Sequence, residues 1–278
     1  MSRAIEFGPP RVIGVRYDAQ SSFRRGPAGA PPLIRAALHS SAGNLWSESG
    51  VDLGVAGSWS DGGDIEPGAL PSTNARDVVG AIEGEVDRVV AAGHRPLILG
   101  GDHSITYPIL RAVAKGFGPP TVLHIDAHAD TYDEFEGNRL SHACPFARIM
   151  EEGLASRLVQ VGIRTLTGHQ RDQARRFGIE VIDMIAWAGG ARPNLSGPLY
   201  ISLDLDGIDP AFAPGVSHRE PGGLSVREVI GLVQSAPIPI VGADLVEYNP
   251  DADVDGMTAT VAAKLVKELL ARMISGAR

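Results

Sequence analysis

Apolar runs that end abruptly in carboxylates and imidazoles constrain this chain more than any other feature. Pro96-Leu-Ile-Leu leads into Gly100-Gly-Asp-His, Val122-Leu-His-Ile into Asp126-Ala-His-Ala-Asp, and Leu199-Tyr-Ile-Ser-Leu into Asp204-Leu-Asp-Gly. Each run has the length and apolar density of a buried strand, so the polar groups fall at strand carboxyl ends. Open parallel α/β sheets build their sites at that edge.

The rest of the chain repeats the theme. Further strand-like runs are Val12-Ile-Gly-Val, Leu158-Val-Gln-Val-Gly-Ile and Ile238-Pro-Ile-Val-Gly. Helical stripes lie between them: Val78, Val79, Ile82, Val86, Val89 and Val90 within 75–92; Val226, Val229, Ile230 and Val233 within 225–235; Val261, Leu265, Val266, Leu269 and Leu270 within 258–274. Strands alternating with helices predict a mainly parallel sheet covered on both faces. No internal repeat or linker divides the chain, which reads as one domain over residues 1–278. The Gly/Ser/Asp-rich stretch 54–73 reads as a surface loop. Residues 128–144 form a long polar connection, and a structureless loop of that length usually serves function.

Twenty-five basic against thirty-three acidic residues leave a net charge of −8. That excludes nucleic acid as the expected partner, since phosphate binding needs a basic face. The single cysteine, Cys144, forbids an internal disulfide and suits a reducing compartment. The N-terminus shows no apolar signal segment, and no stretch approaches the roughly 20 residues of a spanning helix. The expectation is a cytoplasmic protein with no membrane partner.

His103, Asp126, His128, Asp130, Asp204 and Asp206 are the candidate metal ligands. Asp126, His128 and Asp130, spaced by two, fall on one side of an extended segment and converge as it runs into a loop. Asp204 and Asp206 repeat the device. Taken singly, each also suits a turn or a helix cap. Together, four aspartates at the ends of buried strands would be costly without cations. Oxygen donors with imidazole and no thiolate favour Mn2+ over a structural zinc site. Two such ions sharing carboxylates would acidify a common water, making a serine or cysteine nucleophile unnecessary.

At these residues the chain resembles the arginase/agmatinase (ureohydrolase) family. The likeness runs from Gly29-Ala-Pro-Pro-Leu-Ile-Arg through Gly100-Gly-Asp-His-Ser, His124-Ile-Asp-Ala-His-Ala-Asp and Gly162-Ile-Arg to Ser202-Leu-Asp-Leu-Asp-Gly-Ile-Asp-Pro. Tyr132-Asp-Glu-Phe-Glu-Gly-Asn, Ser141-His-Ala, Gly215-Val-Ser-His-Arg-Glu-Pro-Gly-Gly and Val254-Asp-Gly-Met-Thr-Ala resemble its plant-type arginase branch. The resemblance implies a three-layer α/β/α sandwich, two manganese ions per chain and a homo-oligomer, trimeric or hexameric. It implies that His103 and Asp130 hold one ion, His128 and Asp206 the other, and that Asp126 and Asp204 bridge them. His142 would shuttle protons and Glu247 would receive a substrate guanidinium. The implied reaction releases urea and a primary amine from a small guanidino compound.

That chemistry is coherent in itself: a guanidinium arrives as a cation and needs a fixed anion, and the departing amine needs an acid. Asn138 and His218 are further candidates for substrate contact; His218 suits either a pocket wall or a turn. His124 reads as a hydrogen-bonded neighbour of the ligands, Cys144 as packing, Trp46, Trp59 and Trp187 as core or loop packing, and Glu134 and Glu136 as solvated. The tail of the substrate stays open. Gly162-Ile-Arg is followed by Thr165-Leu-Thr-Gly, without the aspartates that hold an α-amino group in animal-type arginases, which points to agmatine. Asn138, Arg139 and Arg219 could instead meet the carboxylate of L-arginine, with guanidinobutyrate the third choice. A metal-dependent amidohydrolase of the same fold and a non-catalytic assembly subunit are the rival classes.

Overall fold

The computed structural model describes residues 7–66, 74–237 and 239–276. Met1 to Glu6, part of the stretch read for a signal segment, lie outside the described residues, as do 67–73 and Ile238. Eight strands form one sheet: β1 Pro10–Val15, β2 Ser60–Ile65, β3 Arg95–Leu99, β4 Thr121–Ile125, β5 Arg157–Ile163, β6 Glu180–Asp183, β7 Leu199–Asp204 and β8 Ile240–Val246. Their order across the sheet is β2-β1-β3-β8-β7-β4-β5-β6, and every neighbouring pair is parallel.

Side-chain alternation sorts the core into two layers. Leu97, Leu99, Leu123, Ile125, Leu199, Ile201, Leu203, Ala243 and Leu245 pack with helices α1 (Ala30–Leu38), α7 (Val226–Ser235) and α8 (Met257–Ser275). Ile98, Val122, Tyr200 and Val241 face the other way, onto α2 (Ala75–Ala91), α3 (Thr106–Phe117) and α4 (Pro145–Glu151). The remaining helices, α5 (Gly168–Phe177) and α6 (Met184–Ala188), flank β6 in sequence. The result is the α/β/α sandwich expected from the alternation of elements. Local signals set helix starts: Thr167 with Gln170, and Ser225 with Glu228, form reciprocal capping boxes that satisfy free N–H groups.

The stretch 54–73, expected as a loop, contains β2. Its sequence Ser-Asp-Gly-Gly-Asp-Ile has little β propensity and lies mostly exposed at the sheet edge. Pairing with β1 makes it a strand, and Arg35 of α1 clamps it by binding Asp61 at 2.7 Å, Asp64, and the Gly63 carbonyl at 3.0 Å. Short β6 was also not legible, and β8 begins at Ile240, two residues later than its apolar run.

Register places four polar residues in one row across the buried sheet: Gln160 opposite His124, His124 opposite Ser202, and Ser202 opposite Asp244. Gly101 allows the β3 exit to pass the β1 exit. A Cβ there would stand 1.6 Å from the Tyr17 carbonyl oxygen, while Asp102 N–H donates to that same oxygen at 2.9 Å. Gly101→Ala is therefore expected to destabilise the fold by about 3 kcal/mol, the upper range of overpacking. Urea denaturation measures this; an unchanged midpoint would remove the close approach as a constraint.

Candidate dinuclear metal centre

Four adjacent central strands, β3, β8, β7 and β4, deliver the predicted groups from their carboxyl ends. Three of the exits share a device. Asp102 accepts from Ser104 N–H at 3.1 Å, Asp126 from His128 N–H at 2.6 Å, and Asp204 from Asp206 N–H at 2.7 Å. Each turn curls the chain out of the sheet, and at Asp126 and Asp204 the turn-forming aspartate is also a candidate ligand. In the last two it brings residue i+2 back beside residue i. Regular β4 stops at Ile125, so it is this turn rather than an extended strand that gathers Asp126, His128 and Asp130.

His103 Nδ1 lies 3.1 Å from Asp126 Oδ2, 3.2 Å from Asp130 Oδ2 and 3.1 Å from Asp204 Oδ2. His128 Nδ1 lies 3.0 Å from Asp206 Oδ2 and 3.4 Å from Asp126 Oδ1. Asp126 therefore presents one oxygen to each histidine, the position of a bridging ligand. Asp126 is fully buried, and Asp204 and Asp206 nearly so.

Hydrogen bonds fix which ring nitrogen faces the cluster. Tyr200 OH and Thr106 Oγ1 donate to Asp244 Oδ2, and Ser202 Oγ donates to Asp244 Oδ1 at 2.7 Å. Ser202 Oγ is left to accept from His103 Nε2–H at 2.9 Å. The Nδ1 lone pair then points at three carboxylates, and that buried atom has no hydrogen-bond partner among the described residues. A lone pair among anions is repulsive until a cation stands between them, so the donor set fits a metal. His124 is different. Gln160 Nε2 donates to the Ala129 carbonyl and faces His124 Nδ1, so His124 Nε2–H donates to Asp126 Oδ2 at 2.7 Å. Both its nitrogens are occupied, and it orients a ligand.

Glu247, one residue past β8, adopts φ 64°, and Asp130 adopts φ 49°. Non-glycine residues there store about 1–3 kcal/mol of strain, which persists only where surroundings enforce it. At Glu247 the enforcement is visible: its N–H donates to the Gly101 carbonyl, and its Oε1 accepts from His103 N–H and from His142 Nδ1, both at 2.9 Å. Glu247 Oε2 is buried and unpartnered. His142 comes from the long connection 128–144, which has no helix or strand of its own.

Electrostatics follow from this crowding. Burial lifts Asp204 well above the ordinary carboxylate range, with Asp206 and Asp126 adding to it, and lifts Asp206 to about 6. Burial disfavours charge on His103 and His128, yet the surrounding aspartates outweigh it and raise both. Burial likewise opposes charge on His142, but Glu247 carries it up to about 9. Burial of Glu247 is outweighed in turn by His142, which holds the carboxyl below its usual value.

A cavity of about 280 Å³ opens beside the cluster, lined by His128, Asp130, Asp204, Asp206, His142, His218 and Glu247. Asn138 does not line it; its amide is spent on Gln20 and Leu140. Arg139 pairs with Asp133 and Glu151, and Arg219 donates to the carbonyls of Pro214 and Ala252, so neither reaches the cavity. Ser22, Tyr132, Thr165, Thr167, Gln170 and Glu220 do line it, although none had been singled out as a site residue. Tyr132 and Glu220 lie inside the plant-arginase-like motifs, and Thr165 and Thr167 directly follow Gly162-Ile-Arg; nothing pointed to Ser22 or Gln170. Arg164 of that motif ties Asp206, Gly207 and Glu220 carbonyls together.

Comparison with known proteins agrees with this geometry. Residues 10–271 match the family model described as "Arginase family". The chain belongs to the arginase family. Among its relatives, Arginase 1, mitochondrial, of Arabidopsis thaliana is 47% identical over 275 residues, covering 94% of this chain and 80% of that protein. The solved arginase from Medicago truncatula superposes with a TM-score of 0.91 at 43% identity, covering 96% of this chain and 87% of that one. The agmatine ureohydrolase of Thermoplasma volcanium has a TM-score of 0.82 at 31% identity, covering 98% and 92%. Arginase-family membership accounts for the clustered ligands and the metal dependence they imply.

His103 and His128, raised by the surrounding aspartates, and Asp204, raised by burial, hold protons more tightly than free side chains, so protons compete with a cation for these donors. Binding of a divalent cation is therefore expected to release protons and to tighten as pH rises. Titration calorimetry in two buffers of different ionisation enthalpy reads this directly; identical heats would contradict it.

Proposed function

We propose that this chain hydrolyses the guanidino group of a small molecule to urea and a primary amine, with two Mn2+ ions held by His103, Asp126, His128, Asp130, Asp204 and Asp206. One observation carries the reading: a buried donor cluster with an orphaned imidazole nitrogen stands next to a cavity into which Glu247 brings a second orphaned atom, Oε2. Charge supports the count, because four carboxylates among neutral imidazoles are balanced by two divalent cations. When bound, such ions supply Lewis acidity and lower the pKa of water.

The side chains do the rest. Glu247, kept ionised, offers Oε2 to a guanidinium N–H, while Oε1 is already spent on His103 and His142. His142 Nδ1–H donates to Glu247, so Nε2 is the nitrogen free to hold a proton and hand it to the departing amine. Cys144, buried and raised to about 12 by burial, is no nucleophile.

L-arginine is the proposed substrate, supported by the similarity to plant arginases. Agmatine is the second reading, favoured by the absence of any Lys or Arg side chain among the described cavity residues, where Glu220 offers an anion to an amino group. The same observation disfavours guanidinobutyrate, whose tail is anionic. We extend the proposal to a homo-oligomer, trimeric or hexameric, with exposed Val254 and Met257 at the start of α8 as apolar surface available for it; light scattering tests that part. The single free cysteine accords with a cytoplasmic protein.

Urea release by manganese-loaded protein, measured against L-arginine, agmatine and guanidinobutyrate, decides the function and ranks the tails. Elemental analysis is expected to give two metals per active chain and close to none in Asp126→Ala; one metal per active chain would end the dinuclear reading. Glu247→Gln should cost about 100-fold or more in kcat/KM, since it unpairs a buried cation. His142→Asn should keep its metals and lose roughly 10²-fold or more in turnover. Because His142 acts in its protonated form, activity should fall as pH rises through about 9, and Glu247→Gln should move that fall to lower pH. An alkaline limb unmoved in that variant would detach it from His142.

A further inference from the structure

The segment between β1 and α1 reaches the reaction site from far away in sequence. Ser22 Oγ lies 2.9 Å from His142 Nε2, and Ser22 N–H donates to the same nitrogen at 3.2 Å. A backbone N–H can only donate, so the neutral ring must carry its lone pair on Nε2, in agreement with Nδ1–H bonding Glu247. Ser22 is exposed, whereas His142 is 8% exposed. The hydroxyl therefore spans the boundary between the buried imidazole and solvent.

This contact is built rather than incidental. Asp18 Oδ2 accepts from the N–H groups of Gly26 and Ala28. Gln20 N–H donates to the buried carboxylate of Asp102, and the Gln20 carbonyl accepts from His142 N–H. Asn249 and Ser217 hold the carbonyls of Arg25 and Arg24. Residues on both sides of Ser22 are thus pinned to the elements that carry Asp102, His142 and Glu247. The groups facing His142 are Glu247 at Nδ1, Ser22 at Nε2, the tilted His218 ring at 5.4 Å, and the charges of Asp130 and Asp102. Among the described groups at Nε2, the Ser22 hydroxyl is the one that can both give a proton and take one.

We propose that Ser22 is a positioning and relay residue for His142: it holds Nε2 toward the cavity and returns a proton to it from solvent after each turnover. The step balances. His142 Nε2–H gives its proton to the leaving amine nitrogen as the C–N bond breaks; Ser22 Oγ–H then gives its proton to Nε2 while its oxygen takes one from a solvent water, leaving hydroxide to the bulk. The inference rests on the ureohydrolase reading, since it needs an amine to be protonated.

The test compares Ser22→Ala and Ser22→Thr with the manganese-loaded wild type. The loss of one hydroxyl should lower kcat about tenfold in Ser22→Ala, with KM within about twofold and metal content unchanged. Ser22→Thr should stay near wild type, and imidazole in the buffer should restore Ser22→Ala. A second readout needs no turnover: peptide mapping of diethylpyrocarbonate modification should show His142 reacting several-fold faster in Ser22→Ala, because Nε2 then keeps the Ser22 N–H but loses the hydroxyl. Wild-type kcat and modification rate in Ser22→Ala would overturn the inference. A loss restored by neither threonine nor imidazole would also overturn it, leaving Ser22 as a loop support. If the wild type itself releases no urea, the ureohydrolase reading fails, and the modification rate still decides whether Ser22 covers His142.

Discussion

Four carboxylates crowded at the carboxyl edge of a buried sheet are the constraint around which the rest of this structure is arranged. Ionised together, Asp126, Asp130, Asp204 and Asp206 would place four negative charges in a space from which water is largely excluded. Charges so placed must be protonated, paired or metallated. Two neighbouring histidines with nitrogens aimed inward, and almost no other cation at hand, make metallation the response that satisfies every atom. The raised carboxyls of Asp204 and Asp206 express the same pressure as protonation.

Holding that charge in place takes a second layer of interactions within the sheet. The row Gln160, His124, Ser202 and Asp244 runs across four strands at one register level, on a face otherwise occupied by apolar side chains. It sets the tautomer of His103 through Ser202 and orients Asp126 through His124. A buried polar row is tolerable only when nearly every member is satisfied, and here Tyr200, Thr106 and the Ala129 carbonyl complete it. The left-handed backbone at Glu247 belongs to the same economy: strain is held by three hydrogen bonds so that one carboxylate oxygen stays free.

Two loops of different origin meet at the edge of the cluster. The 128–144 connection supplies His142, and the turn after β1 supplies Ser22 on the opposite side of the same imidazole. Glu247 links both to the sheet, since it touches His142 through one oxygen and His103 through the same oxygen. Thr165, Thr167, Gln170 and Glu220 line the same cavity.

The primary structure by itself determined the layer architecture, because strand and helix periods alternate along it. It marked the candidate ligands as well, because Asp-x-His-x-Asp and Asp-x-Asp after buried strands have few other uses. His142 and Glu247 were legible through family resemblance and through the need for an acid and an anion. Tertiary structure alone decided the rest. Strand β2 exists only because β1 leaves an edge and Arg35 clamps it, which no local propensity encodes. Asn138 looked available but is spent on Gln20, and Arg139 and Arg219 found partners elsewhere. Ser22 lies 120 residues from His142, and their meeting depends on how β1 and β3 exit the sheet past Gly101. Local patterns report which groups a strand delivers; which of those groups keep a free atom is settled only when distant segments compete for their hydrogen bonds.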